Sequence, residues 1–279
     1  MKKLFLNAFS LSLALLLIQP FARAQKDDIV DLINSIPSPV ELSSLIKSQN
    51  ASYKRSLLND SKKVSNYTTS YDRALNLGIY AADLGFASLY GRNVDALDYL
   101  GAIKELANAL SIGQFLDEET IREAANASNV DQLLLSSTQS LEKVNKQLQR
   151  DGREHLSLLF VAGSWLEGLH LATATYAEAG NDKLKERIGE QKIALEQLMK
   201  VMNMYKDKPG YAGLLRDFGQ LEQAYKNVSI VSTGGKSETK IVDGEAVITG
   251  GGKNVVNISN DDVLSITSLV AAIRKKHVR

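Results

Sequence analysis

Cysteine does not occur in the 279-residue sequence, and proline occurs only four times. The absence of cysteine excludes disulfide bonds, thiolate metal sites, cysteine nucleophiles and a lipid-bearing cysteine. An exported form of this chain must therefore be stabilised by its hydrophobic core alone, and the chain is long enough for that. Three of the four prolines precede residue 40, so helix breakers are rare in the rest of the chain.

An excess of charge of one sign is also lacking, because the formal net charge of the whole chain is +1. A near-neutral chain has no general attraction to nucleic acid or to acidic membranes, and we expect no nucleic-acid partner. The basic residues cluster only at 274–279, at the end of the last predicted helix. Cations at that position complement the helix dipole, which is a sufficient structural explanation for them.

The first 24 residues have the three parts of a secretory signal peptide. Lys2 and Lys3 give a positive start, residues 4–18 are mainly apolar, and Ala22-Arg23-Ala24 provides small residues for cleavage. We predict cleavage between Ala24 and Gln25 and residence in the periplasm or outside the cell. The apolar run is shorter than the about 20 residues of a spanning helix, so we expect no stable membrane anchor.

Apolar residues recur with a period near 3.6 over most of the chain, which predicts an all-α fold, a multi-helix bundle of helical hairpins. The predicted domains are a signal peptide at 1–24, a helical bundle at 25–229, a glycine-rich linker with a β-hairpin at 230–258, and a C-terminal helix at 259–279. Long helices are expected at 65–90, 93–111, 129–150, 155–179, 182–205 and 210–227, with residues 49–64 as a loop. Asp243-Gly244 marks the hairpin turn.

The C-terminal helix carries a stripe of four apolar residues, which are Val263, Ile266, Val270 and Ile273. Side chains of this kind gain about 1.5–3 kcal/mol each on full burial, so the stripe must be covered. Either its own bundle or another molecule can cover it. We therefore expect the helix to dock on the bundle, with a protein partner or a homo-oligomer as the alternative.

Four stretches carry a resemblance to other proteins: IPSPVE at 36–41, SYKRSLLN at 52–59, ALNLGIYAADLG at 74–85 and DYL at 98–100. They resemble a group of uncharacterised exported helical proteins and lipoproteins of Bacteroidetes-type bacteria, over most of the chain that follows the signal peptide. The resemblance implies periplasmic residence in a Gram-negative cell and no particular activity. This sequence departs from the lipoprotein members because it lacks their lipid-bearing cysteine.

Glu167 and His170 form a Glu-x-x-His pair on a helix that is apolar nearly all round, the spacing of half a di-iron site. A complete site needs a second such pair and two further inward glutamates, which the other two histidines do not supply. We therefore predict no metal site. The structural interpretation is a buried, hydrogen-bonded polar cluster.

Asp83 lies in another apolar helix that is rich in small residues, where a carboxylate needs partners. If the two helices pack together, Asp83, Glu167, His170, Tyr80 and Trp165 meet at their crossing. That group is either a structural network or the polar floor of a ligand pocket. Motifs of serine hydrolases, phosphate loops and dinucleotide-binding folds are absent, so we predict no catalytic residue and no cofactor.

Three functions follow in decreasing order of support. The first is a non-enzymatic exported binding or scaffold protein that meets a protein partner. The second is a carrier of a small ligand, with an apolar pocket between the helices at 65–90 and 155–179. The third and weakest is a metal-dependent enzyme.

Overall fold

The computed structural model describes residues 33, 46–47, 51–233, 238–242, 245–249 and 253–279. Over these residues the chain is an all-α multi-helix bundle, which confirms the predicted fold class. The eight α-helices of the described part are α1 Ser70–Leu89, α2 Asn93–Ala109, α3 Glu118–Asn126, α4 Val130–Arg150, α5 Glu154–Ala179, α6 Asp182–Met204, α7 Tyr211–Ala224 and α8 Asn260–His277.

The segment predicted as a loop before α1 contains two short 3₁₀-helices, Arg55–Leu57 and Ser61–Asn66. A third, Gly113–Phe115, connects α2 to α3. Short 3₁₀ turns have no long apolar period, so the sequence pattern does not distinguish them from loop. The segment 51–67 lies along α1 and α2, and its residues reach the polar cluster described below.

Side-chain caps explain where several helices begin. Thr69 accepts a hydrogen bond from the Asp72 amide before α1, and Asn129 accepts one from the Gln132 amide before α4. Ser259 and Asp262 form a reciprocal capping box at the start of α8. Each cap satisfies backbone donors that a helix end otherwise leaves free.

Helices α1 and α5 form the centre of the bundle and approach each other at two glycines. A Cβ atom at Gly78 would overlap the backbone carbonyl of Phe160, and one at Gly163 would overlap the carbonyl of Leu75. The Ser164 hydroxyl also donates a hydrogen bond of 2.9 Å to the Gly78 carbonyl oxygen. The backbones therefore touch at this crossing, as the small residues of α1 predict.

Helix α5 is long and apolar enough to cross a membrane by length and composition alone, with a mean hydropathy of 1.3 over its most apolar window. Within the bundle, however, 89% of that window is buried. A central core helix of a globular protein has the same properties. The absence of Lys and Arg from its interior turns is explained by this central position.

The region between α7 and α8 contains two antiparallel strand pairs. β1 Ser229–Thr233 pairs with β4 Lys253–Asn257, and β2 Glu238–Val242 pairs with β3 Glu245–Thr249. The second pair flanks the predicted Asp243-Gly244 turn, which itself lies outside the described residues. The first pair was not expected. It forms where Val256 and Ile258 pack over Gly189 of α6, while Lys192 donates to the Val228 carbonyl oxygen at 2.7 Å.

Helix α8 lies against α5 and α7 of the same chain. All four residues of its apolar stripe, Val263, Ile266, Val270 and Ile273, are buried there. The requirement that the stripe be covered is therefore met within one chain. The side of α8 that faces away from the bundle carries Leu264, which is 61% exposed.

The predicted signal peptide, with the predicted cleavage between Ala24 and Gln25, lies outside the described residues. Between residue 25 and residue 49 the structure describes only Ile33, Ile46 and Lys47, and all three are helical. Ile33 and Ile46 are buried in the main core. Lys47 donates a hydrogen bond to the backbone carbonyl of Leu89 at the end of α1.

Candidate functional site

The polar cluster of the core is centred on an ion pair between Glu167 of α5 and Arg274 of α8. Arg274 Nε lies 2.5 Å from Glu167 Oε2, and Arg274 Nη2 lies 2.7 Å from Oε1, so the contact is bidentate. The Glu167 side chain is 0% exposed and that of Arg274 12% exposed. Burial alone lowers the pKa of Arg274, but the Glu167 charge and hydrogen bonds outweigh burial and raise it. The pair is therefore ionised and holds α8 to the central helix.

Asp83 of α1 is the second buried carboxyl group of the cluster and is also inaccessible to solvent. Its Oδ2 accepts a hydrogen bond of 3.1 Å from the backbone amide of Asn59. Burial raises the pKa of Asp83 well above its ordinary value, and the nearby Glu167 charge raises it further. The positive charge of Arg274 lowers the pKa but does not cancel these two effects. The guanidinium group of Arg274 thus lies beside two carboxyl groups, those of Glu167 and Asp83.

The proton of the carboxyl pair lies on Asp83. Arg274 binds both oxygens of Glu167, whereas Asp83 Oδ1 has no hydrogen-bond partner within the described part of the chain. A carboxyl group buried with an unpartnered oxygen is easier to bury neutral than charged, and the nearby Glu167 charge raises the pKa of Asp83 further. The cluster then contains one anion, one cation and one neutral acid, which a buried site tolerates better than two anions.

A chain of tyrosine and backbone groups extends this cluster toward residues 59–67. The Tyr80 hydroxyl donates to the Asp60 carbonyl oxygen at 2.9 Å, and the Asn59 amide nitrogen Nδ2 donates to the Tyr67 hydroxyl at 3.0 Å. The Tyr67 and Tyr80 rings meet edge to face, with centroids 6.1 Å apart. Burial raises the pKa of both phenols, so both stay neutral and act as hydrogen-bonding groups.

His170 lies at the edge of the cluster, one turn after Glu167, and is partly buried. Burial lowers its pKa, although the Glu167 charge and a hydrogen bond to the Leu57 backbone act in the opposite direction. A neutral His170 that donates to Leu57 fastens the segment before α1 to α5. It is therefore a neighbour of the ion pair, with a backbone partner of its own.

Trp165 does not belong to this cluster. Its Nε1 donates to Gln191 Oε1 of α6 at 3.0 Å, and its ring lies 5.5 Å from that of Phe218 in α7. Positions 165 and 167 are two residues apart on a helix, so their side chains point in widely different directions. The structure thus brings together Tyr80, Asp83 and Glu167, with His170 beside them, and places Trp165 on the opposite side of α5.

Arg274 is the only cation in the cluster as far as the structure describes it, and its place there was not predicted from the sequence. The basic C-terminus was expected only to complement the helix dipole, but its residues bind specific carboxylates. Lys276 lies 2.5 Å from Asp217, and Arg279 lies 3.7 Å from Asp72. A signal for Arg274 was present, because position 274 is four residues after Val270 and so shares the face of the buried stripe.

The geometry does not resemble a catalytic or metal centre. Among the described residues, no group of three or more His, Asp or Glu side chains is placed to hold a metal ion. Asp83 and Glu167 are wholly buried, so a substrate cannot reach their oxygens. The α1–α5 crossing, where a ligand pocket was the alternative, is closed by backbone contact at Gly78 and Gly163. The cluster is arranged to connect segments of the fold.

No protein-family model, curated protein or solved structure matches this chain. The function is therefore argued from the chain's own chemistry.

Proposed function

We propose that the chain is an exported, non-enzymatic helical protein that acts by binding a protein partner or as a scaffold. One observation carries this proposal. The interior groups with the chemistry of a reactive site are occupied by each other, since both Glu167 oxygens bind Arg274 and Asp83 binds Asn59. Groups committed in this way stabilise a fold and do not turn over a substrate.

Export is supported by the composition of residues 1–24 and by the resemblance to exported proteins of Bacteroidetes-type bacteria. The periplasm of a Gram-negative cell is the location we propose.

The partner surface that we propose is the outward side of α8. The apolar stripe on the inward side of this helix is buried against the same chain, but Leu264 on the outward side is 61% exposed. A partner or a second copy of the chain that covers Leu264 would remove a large apolar side chain from water without disturbing the Glu167–Arg274 pair.

The small-ligand carrier has less support, because the α1–α5 crossing at which its pocket was expected is packed backbone to backbone. The metal-dependent enzyme has the least support, since Glu167 is already bound by Arg274 and His170 has a backbone partner.

The test is native mass spectrometry combined with metal analysis of protein purified from the periplasm of its own host. We expect a chain free of metal and of apolar small molecules. Bound metal would replace the proposal with the enzyme, and a stoichiometric apolar ligand would replace it with the carrier. Size-exclusion chromatography with light scattering of the wild type and of Leu264→Lys then tests the surface, with Lys200→Gln on α6 as the exposed control.

A further inference from the structure

A concave cleft of about 500 Å³ lies between α4 and the connection from α2 to α3, well away from the buried cluster. Three cationic side chains, Lys143, Lys146 and Arg150, line one wall. Cavities of about 300–1,000 Å³ are the size that accommodates small molecules. The volume therefore fits a small ligand and is too small for an extended macromolecular interface.

The cationic wall follows from the helical register of α4. Residues separated by three, four and seven positions lie on one side of a helix, so the three cations form a row. From residue 143 to residue 150 the helix rises about 10 Å. The positive charge is thus distributed along a line and is not concentrated at one point.

The opposite wall is held in place by the bundle. Leu116 is buried, Phe115 is partly buried against the core, and the Asp117 backbone amide donates to Ser140 Oγ at 3.1 Å. This hydrogen bond ties the connecting segment to α4 itself. The cleft is consequently formed by two elements of fixed separation, with an aromatic ring and an apolar side chain facing a row of cations.

The charges on this wall are not balanced within the described residues. Lys146 has an intrahelical partner in Glu142 at 2.6 Å, but no carboxylate lies within ion-pair distance of Lys143 or Arg150 there. Asp151, the acidic residue next to Arg150 in the sequence, is bound by Arg153 at 2.5 Å and by Gln147 at 2.6 Å. Asp117 lines the cleft, but its Oδ1 caps α3 through the Thr120 amide.

We propose that this cleft binds a small, elongated oligoanion that bears phosphate or carboxylate groups, with Lys143, Lys146 and Arg150 contacting its charges. A single monovalent ion would satisfy one of the three cations, whereas several charges along a chain match the row. The Arg150 guanidinium provides a planar, bidentate donor for either oxyanion. Phe115 and Leu116 provide apolar contact for the connecting atoms of the ligand.

Isothermal titration of the chain from residue 25 onward at low ionic strength tests the proposal, with tripolyphosphate, citrate and orthophosphate as probes. We expect 1:1 binding of tripolyphosphate or citrate at least tenfold tighter than that of orthophosphate. The tighter of the two identifies phosphate or carboxylate as the preferred group. Binding should weaken strongly as salt increases, because the cations are exposed.

The decisive variant is Lys143→Gln combined with Arg150→Gln, which should weaken binding at least tenfold. The matched control, Lys200→Gln combined with Lys206→Gln on and after α6, removes the same charge from another exposed surface and should change affinity less than twofold. Lys143→Arg keeps the charge and should retain binding. Circular dichroism melts of each variant establish that the fold is intact.

Absence of saturable binding to the wild type would overturn the proposal. So would an equal loss in the cleft and control variants, since that result identifies general attraction to positive charge. These outcomes do not depend on the partner surface of α8, which the Leu264→Lys variant tests separately.

Discussion

Replacement of Asp83 by Asn isolates the energetic cost of the buried carboxyl pair. Asp83 Oδ2 accepts a hydrogen bond from the Asn59 amide, and an asparagine side chain has nearly the same shape and keeps an oxygen for this bond. The variant therefore keeps the contacts and removes only the ability to ionise. Any difference in stability that depends on pH then belongs to the Asp83 proton.

The sign of the effect follows from the raised pKa. In the unfolded chain an aspartate loses its proton near pH 3.9, whereas folded Asp83 retains it to higher pH. Where the folded state binds more protons than the unfolded state, stability falls as pH rises, by about 1.4 kcal/mol per pH unit for one proton. Asp83→Asn lacks this loss. Its advantage over the wild type should be small near pH 4 and should grow as pH rises, by at most about 1.4 kcal/mol per pH unit, until the pH passes the pKa of folded Asp83.

The assay is urea denaturation of both proteins at half-unit intervals from pH 4 to pH 8. His155, His170 and His277 have pKa values lowered by burial, so their contribution is lost as pH falls through about 6.5. Both proteins share these histidines, and the difference between the two curves largely removes their effect. Asp207→Asn, in the exposed turn after α6, serves as the control and should show no pH-dependent difference of this size.

Two results would refute the reasoning. One is a stability difference between Asp83→Asn and the wild type that does not change with pH. The other is a variant less stable than the wild type by several kcal/mol at every pH, which would mean that Asp83 is ionised in the folded protein. Asp83→Ala provides a second comparison, since it leaves the Asn59 amide without an acceptor and should cost about 1–3 kcal/mol.

Three further predictions concern other parts of the fold. Gly78→Ala should destabilise the protein by about 1–3 kcal/mol in thermal or urea melts, because the new Cβ would overlap the Phe160 carbonyl. Gly101→Ala is the control, because position 101 has no neighbour on the exposed side of α2, and it should stabilise by up to about 1 kcal/mol. Equal effects of the two substitutions would contradict the close crossing of α1 and α5. Arg274→Met should lower the free energy of unfolding in urea by about 3–5 kcal/mol, because it leaves Glu167 buried without its cation. Addition of Glu167→Gln to the same chain should recover part of that loss. An unchanged urea midpoint would refute the role of the pair. Amino-terminal sequencing of periplasmic protein should begin at Gln25, and protein retained in the membrane with Met1 intact would contradict both cleavage and location.

The helices could be predicted from the sequence because the signals for them are local. The period of the apolar residues, together with caps such as Asn129 and Ser259, gives the beginning of a helix without knowledge of its neighbours. The small residues of α1 likewise predict a close crossing with another helix, because glycine destabilises a helix interior unless close packing requires it. The β1–β4 pair was not predictable in this way. Its paired residues are 20 to 28 positions apart in the sequence, so no local pattern connects the two strands.

The contacts within the polar cluster could not be predicted from the sequence. Asp83 and Glu167 were recognisable as residues in need of partners, because each is a carboxyl group in an apolar helix. The partners themselves come from segments distant in sequence, Asn59 before α1 and Arg274 in the last turns of α8. No local pattern connects position 167 with position 274. Only the position of Arg274 beside the buried stripe gave a clue, and the helix dipole explained the same charge without a partner.

This arrangement assigns a role to the C-terminal helix that burial of its apolar stripe does not explain. Four apolar side chains would hold α8 against α5 and α7 but would allow it to slide or rotate, because apolar contact has little directionality. The bidentate Arg274–Glu167 contact fixes one position at which both guanidinium bonds form, and the ion pair of Lys276 with Asp217 fixes a second point two residues further along α8. Asp83 of α1 lies close enough to Glu167 for that charge to raise its pKa, so the cluster also includes α1. The cluster therefore determines how three helices meet, and the outward side of α8 that carries Leu264 is held in a defined orientation as a result.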